Sequence, residues 1–563
     1  MCWMAKLVAL GLALVVDALL VGAYQQQPLA APNHSTSWLS RPWDEQLSEN
    51  ATGNLIFQSL AGLMQMKANS KHPNGHAIIR ATIPPGTLLY HGRPSSEYPV
   101  QDWIAFDPEH SAVFAGGSNG TLFTFTAARE LTLIYFDGCS ANKVDGVVDT
   151  QDLLFFGELK HKHEGWWGEL ERIEDGCAWA KQYGIVGFIR MEFDFEIMYC
   201  DFSDGLELVS AMPFVNGRGV VPRPPRSLDN AALQGSRPVG GQPSLNLSDV
   251  PSKRANTEAT FHGLRRVDQL VIDAEKPRVP VPPRIPPPGW KGTLPSMGWE
   301  AKRTGSWHND FPGELRVRPD PSTLVSFFDP SLTSLVQARR TLTRDEYNAG
   351  NASREDIARV RADVAEVAAR EPRTGSDVDW VGLARVIEDR FATRLPYLQH
   401  LLHQPVDIVN AWARAAAVRK QLIVSLIPYM HGSAIGTPEW FADIARECAE
   451  RFTSHLPTSN FTKQEHVLYH AVDEVLHEVC RVYTGAWVDA FDVETKSPFV
   501  AMRLLDKWRE EFDTLIEWLD WPVWIQCRPA CEVDEYCYVS QGRPWAPSED
   551  HTPRCVPMED ETF

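Results

Sequence analysis

Basic charge is scarce in this chain. Its 54 lysines and arginines face 73 aspartates and glutamates, for a formal net charge of −19 and an isoelectric point near 5.4. A phosphate-backbone partner needs a basic footprint, and none stands out, so nucleic acid is excluded as a partner. Metal motifs are missing too. The last four cysteines are spaced C-x3-C-x5-C-x17-C, without the paired C-x2-C knuckles of a zinc site. His466, His470, Asp473 and His477 share one side of a helical stretch, but the H-E-x-x-H pattern begun at His477-Glu478 fails at Arg481. No metal is expected. After the first 23 residues no apolar run is long enough to cross a bilayer.

What is present points to export. Lys6 precedes an apolar run from Leu7 to Val21, and Val21-Gly22-Ala23 puts small residues where signal peptidase cuts before Tyr24. Asp17 interrupts the run, which is short for a stable span. Six Asn-x-Ser/Thr acceptors, at Asn33, Asn50, Asn119, Asn246, Asn351 and Asn460, gain meaning in the secretory pathway. Of ten cysteines, Cys2 leaves with the signal and Cys527, Cys531, Cys537 and Cys555 crowd the last 37 residues as a disulfide-stapled tail. Nine remain, so one thiol among Cys139, Cys177 and Cys200 stays unbridged. The protein is expected to be secreted.

The chain divides by composition. Residues 1–23 read as a signal peptide and 24–45 as an extended leader. Residues 46–214 read as an α+β domain with a mixed or antiparallel sheet, 215–315 as a proline-rich disordered linker, 316–525 as an α-helical bundle, and 526–563 as the cysteine-rich tail. In the first domain, strands are expected at Ala77 to Ile83 and Thr87 to Tyr90 around a Pro84-Pro85-Gly86 turn, at Gly120 to Thr126, and at Leu131 to Phe136. A helix should run from Trp166 to Tyr183, followed by strands Val186 to Met191 and Phe193 to Tyr199. Between Pro213 and Pro295, polyproline stretches and Ser/Asn/Gly/Gln content leave too little apolar area to fold. Helical periodicity then returns in apolar stripes at Trp380 to Leu402, Trp440 to Phe452 and Phe499 to Leu519. Thr462 to Glu465 forms a capping box, and Cys448 and Cys480 fall on consecutive antiparallel helices where a bridge fits.

Candidate chemistry centres on the first domain. Glu192, Asp194 and Glu196 alternate along an expected strand, so their carboxylates share one face, where like charges raise at least one pKa, an arrangement suited to acid/base or oxocarbenium-stabilising work. Asp137, Asp149 and Asp152 read as turn formers rather than a cation site.

Three landmarks stand in order here: Tyr90-His91-Gly92 closing a strand, Trp103-Ile-Ala-Phe106 leading to a short helix with Ser111 and Phe114, and Glu196-Ile-Met-Tyr-Cys-Asp201. In that order and spacing the domain resembles the ADP-ribosyltransferase fold in its histidine/tyrosine/glutamate branch. That resemblance implies NAD as substrate. It places Tyr90, His91, Gly92 and Ser111 around the cofactor, Phe106 or Phe114 against nicotinamide, and Glu196 on the nicotinamide ribose beside the oxocarbenium. Arg93 stands where a small hydroxyl residue is usual, and the middle tyrosine is absent. A broader resemblance rests on Trp103 to Ser111, Leu133 to Gly138, Asp149 to Asp152 and Trp521 to Cys527. These runs look like a group of uncharacterised fungal secretory-pathway proteins and imply no activity. The alternatives are a non-catalytic extracellular or cell-wall interaction protein, and a carbohydrate-active enzyme using Glu192 or Glu196.

Overall fold

The structure, a computed structural model, describes residues 41–64, 72–116, 119–142, 144–160, 168–192, 194–214, 313–372, 374–538 and 552–557. The expected signal peptide, most of the expected leader, all but residues 313–315 of the expected linker, Asn33 and Asn246 lie outside the described residues.

A ten-stranded mixed sheet forms the first half. Its strands are β1 (Ala77–Ile83), β2 (Leu88–Arg93), β3 (Asp102–Ala105), β4 (Thr121–Ala127), β5 (Leu131–Phe136), β6 (Gly187–Met191), β7 (Phe195–Tyr199), β8 (Leu206–Pro213), β9 (Arg318–Pro319) and β10 (Val325–Ser326). Their order is β10-β1-β5-β6-β7-β3-β2-β4-β8, with β9 also on β1. Among the described strands only β5 and β6 run parallel, because helices Asp149–Phe155 and Glu169–Ala180 make the crossover between them. Asp149 and Asp152, read as turn formers, belong to the first of these helices.

The alternation in each strand sends apolar side chains to two different cores. On one face Ile78, Ile134, Phe136, Phe188 and Met198 pack under the crossover helices and helix Arg354–Ala369. On the other, Ile79, Ala81, Tyr135 and Ile197 share a core that runs on into the helical bundle. That bundle contains Trp380–Phe391, Arg394–His403, Ala411–Leu426, Pro438–Glu450, Lys463–Ala490 and Pro498–Leu519. Asp379 caps the first of these through its side chain, and Thr462 and Glu465 form the expected capping box at Lys463.

Two segments cross the compositional borders. Helix Gly53–Ala61 sits in the bundle, with Gly53 N–H donating to Glu474 at 2.8 Å and Gln58 donating to the Leu519 carbonyl at 2.8 Å. Residues 318–326 return across the linker to pair with β1. Some apolar residues of the expected helices face solvent instead: Leu170, Val386 and Phe499 are exposed.

Four disulfides join Cys177–Cys200, Cys448–Cys480, Cys527–Cys537 and Cys531–Cys555. They agree with an oxidising compartment. Cys139 stands outside them and is buried. Alkylation of unreduced protein should therefore label no thiol in the native state and one in denaturant. A second label would mean that Cys2 is retained, against the expected cleavage before Tyr24. Among the described residues no helix is long and apolar enough to cross a membrane.

Candidate functional site

The strand register decides which predicted residues can meet. Directly opposed residues of an antiparallel sheet share a face, and neighbours along a strand do not. Tyr90 opposes Ala105, Ala105 opposes Glu196, and Glu196 opposes Arg190. These four share a face. His91, one residue along from Tyr90, points to the other.

There His91 is core. It is buried, packs edge-on to Phe202, and its Nδ1–H donates to the Trp103 carbonyl at 2.6 Å. Burial lowers its pKa, opposed by Asp102 at 3.6 Å. The expected pairing of His91 with Glu196 in one pocket is therefore not formed. Gly92 has a packing role: a Cβ there would lie 1.7 Å from the Ser111 carbonyl oxygen, so only glycine lets helix Pro108–Ala112 cross the strand. Ser111 Oγ donates to the Tyr90 carbonyl at 2.7 Å. Phe106 is buried beneath the Arg316 guanidinium, while Phe114 is exposed. Glu192 and Asp194 lie in the turn between β6 and β7, so of the three alternating acids only Glu196 stands on a strand.

Glu196 belongs to a buried ionic chain. Arg190 donates to Glu196 at 2.5 Å and to Glu169 at 2.7 Å. Arg172 joins Glu169 at 3.0 Å to Asp152 at 2.6 Å. His110 sits between Asp194 at 2.5 Å and Glu196 at 3.4 Å. No side chain of the seven is more than 15% exposed. Burial opposes protonation of His110, but the two flanking carboxylates outweigh it and hold the imidazole well above its ordinary range. Four carboxylates thus face three cations, and the group is nearly neutral. It pins the crossover helices and helix Pro108–Ala112 to the sheet.

The pH consequence follows from that raised pKa. Stability from the protonated His110 is fully present below its unfolded value of about 6.5 and is lost as pH climbs through the higher folded value. The stability gap between wild type and His110→Asn should be widest in acid and begin to narrow above about pH 6.5, read from urea unfolding between pH 5 and 9. A gap that widens with pH contradicts the assignment.

A different region has the geometry of a binding site. A groove of about 1140 Å³ opens between residues 46–58, residues 336–347, the middle of helix Lys463–Ala490 and the C-terminal half of helix Pro498–Leu519. Trp518, Trp521, Trp524 and Tyr347 supply its aromatic lining. At its inner end lies a chamber of about 30 Å³, lined by His72, Asn74, His76, Asp137, Arg344 and Asp520 among others. The two cavities share Gln58, His72, Arg344, Asp520 and Ile525. Burial pushes Asp137 up to about 6, although it accepts the His76 and Ala77 amides at 2.7 Å. His72 bridges Asp345 at 2.7 Å and Asp520 at 2.8 Å. Burial also lowers Arg339 to about 10. Sequence reasoning missed this region because its residues come from four distant segments.

A family model described as the YPL277C N-terminal domain matches residues 116–231. That span holds six of the seven members of the ionic chain. The chain is similar to the uncharacterized protein YPL277C of Saccharomyces cerevisiae (strain ATCC 204508 / S288c), 32% identical over 218 residues, covering 30% of this chain and 44% of that protein. It is likewise similar to the uncharacterized protein YOR389W of the same yeast, 33% identical over 217 residues, covering 30% of this chain and 34% of that protein. The chain spans less than half the length of the curated relatives it matches. No solved structure matches it. The expected fungal resemblance is supported by these relatives, and the ADP-ribosyltransferase resemblance receives no support.

Proposed function

We propose that this is an exported glycoprotein that binds a cell-wall saccharide in the groove between residues 46–58, residues 336–347 and its two longest bundle helices, without catalysing a reaction on it. The observation that carries the reading is the large groove with the partly exposed Trp518 and Trp524 on its wall, since aromatic faces suit sugar rings and a concave site of this volume suits a ligand. Export is supported by the signal-like N-terminus, by four disulfides, and by the surface positions of Asn119, Asn351 and Asn460.

ADP-ribose transfer from NAD asks for His91 and Glu196 in one pocket, and they occupy opposite faces. A carbohydrate-active enzyme using Glu192 or Glu196 asks for an available carboxylate, and Glu196 is clamped between Arg190 and His110. The test is a single preparation of secreted protein assayed three ways. Retention on fungal wall polysaccharide is expected, with neither NAD consumption nor release of reducing sugar. Turnover that disappears in Glu196→Gln while the fold persists would restore an enzymatic role.

A further inference from the structure

One Asn-x-Ser/Thr acceptor stands on the groove wall. Asn50, of the run Asn50-Ala51-Thr52, lines the groove, whereas Asn119, Asn351 and Asn460 are exposed and stand outside it. The Asn50 side chain is held in one orientation. Arg340 donates to Asn50 Oδ1 from Nε at 3.0 Å and from Nη2 at 2.8 Å, and a guanidinium has donors only. The amide oxygen therefore faces Arg340, and Nδ2, the atom to which a glycan is joined, is turned away from it. Thr52 is buried in the folded chain, so attachment has to precede folding.

The aromatic wall is close to this acceptor. Asn54, four residues and thus at most about 14 Å of chain beyond it, donates from Nδ2 to the Trp518 carbonyl at 2.5 Å. Trp518 and Trp524 line the same groove and are partly exposed. At about 1140 Å³ the groove is larger than the roughly 300–1,000 Å³ of ordinary ligand pockets and has room for more than one sugar ring. A ligand tethered by a short link competes at an effective concentration in the millimolar range. A free saccharide of equal affinity has to exceed that concentration before it displaces the tethered one.

We propose that the first saccharide this groove holds is the chain's own, an N-linked glycan on Asn50 that folds back along Trp518 and Trp524 and keeps weak outside ligands from entering. This rests on the export and the sugar-binding groove proposed above. Occupancy at Asn50 then sets how readily wall saccharide is bound.

The full chain expressed in a fungal host tests it. Glycopeptide mass spectrometry should find Asn50 modified. On native protein an endoglycosidase should release the glycans of Asn351 and Asn460 at least threefold faster than that of Asn50, and Trp518→Ala should speed release at Asn50 alone. Asn50→Gln should be retained on wall polysaccharide at least threefold more strongly than wild type, and Asn351→Gln no more strongly. An unmodified Asn50 beside a modified Asn351 or Asn460 overturns the proposal and leaves export standing, while modification at none of them removes both. Equal retention of wild type and Asn50→Gln overturns it as well, and the groove is then a site for outside saccharide alone. So does an Asn50 release rate that Trp518→Ala leaves unchanged, which would mean slow release through crowding at the acceptor. If neither wild type nor Asn50→Gln is retained while Trp518→Ala still frees the Asn50 glycan, the groove holds its own glycan and the wall-saccharide reading fails by itself.

Discussion

Arg190→Ala is expected to lower folding stability by about 3–5 kcal/mol, enough to leave a marginal domain largely unfolded. Arg190 is buried, and its Nη2 alone meets both Glu169 and Glu196 while Nη1 donates to Gln151 at 3.1 Å. Truncation leaves two carboxylates facing each other in a site that water scarcely reaches, plus the space of the lost side chain. A surface pair gives the contrast. Arg129 and Asp204 meet at 2.6 Å but are about half exposed, so Arg129→Ala should cost less than about 1 kcal/mol. Urea unfolding of both variants checks the ratio. Similar losses would mean that the ionic chain is wetter or less cooperative than its burial indicates.

Removing the Cys448–Cys480 bridge as a double alanine variant is expected to cost about 3–4 kcal/mol. The bridge closes a loop with a sequence separation of 32, and loop-closure entropy for that length gives this magnitude. Both cysteines are buried where helices Pro438–Glu450 and Lys463–Ala490 pack. The tail provides the comparison. Cys537 and Cys555 oppose each other in the two-stranded ribbon of β11 (Glu535–Tyr538) and β12 (Arg554–Pro557), whose apolar residues belong to neither large core. Loss of Cys527–Cys537 should loosen the tail and leave the main unfolding midpoint in place. A midpoint that moves as far as in the Cys448/Cys480 variant would show the tail to be part of the cooperative unit.

Much of the bundle was readable because its signals are local. The stripe from Trp440 to Phe452, the capping box at Thr462 and the proline at position 498 each depend on spacings of a few residues. The sheet was less so. Strands of two residues, Arg318–Pro319 and Val325–Ser326, carry no alternation to detect. Helix Asp149–Phe155 hid because its aspartates serve ion pairs and backbone contacts across the fold rather than a turn. The site failed on parity. A one-residue difference along β2 separates Tyr90, on the Glu196 face, from His91, on the other, and no linear pattern fixes that phase. His110 escaped notice since its partner Asp194 is 84 positions away. Arg344 sits in a short Thr-Arg-Asp-Glu run that reads as a solvated turn.

The pairing of β1 with β9 and β10 bears on how this chain is made. A polypeptide emerges from the ribosome N-terminus first, so β1 stands for a long interval with one rim of amides and carbonyls unclaimed, until residues 318–326 have been synthesised. Helix Arg354–Ala369, which shields the adjoining apolar face, arrives later still. A nascent chain stalled within the proline-rich stretch is thus an adhesive half-sheet, and a chaperone would find its substrate there.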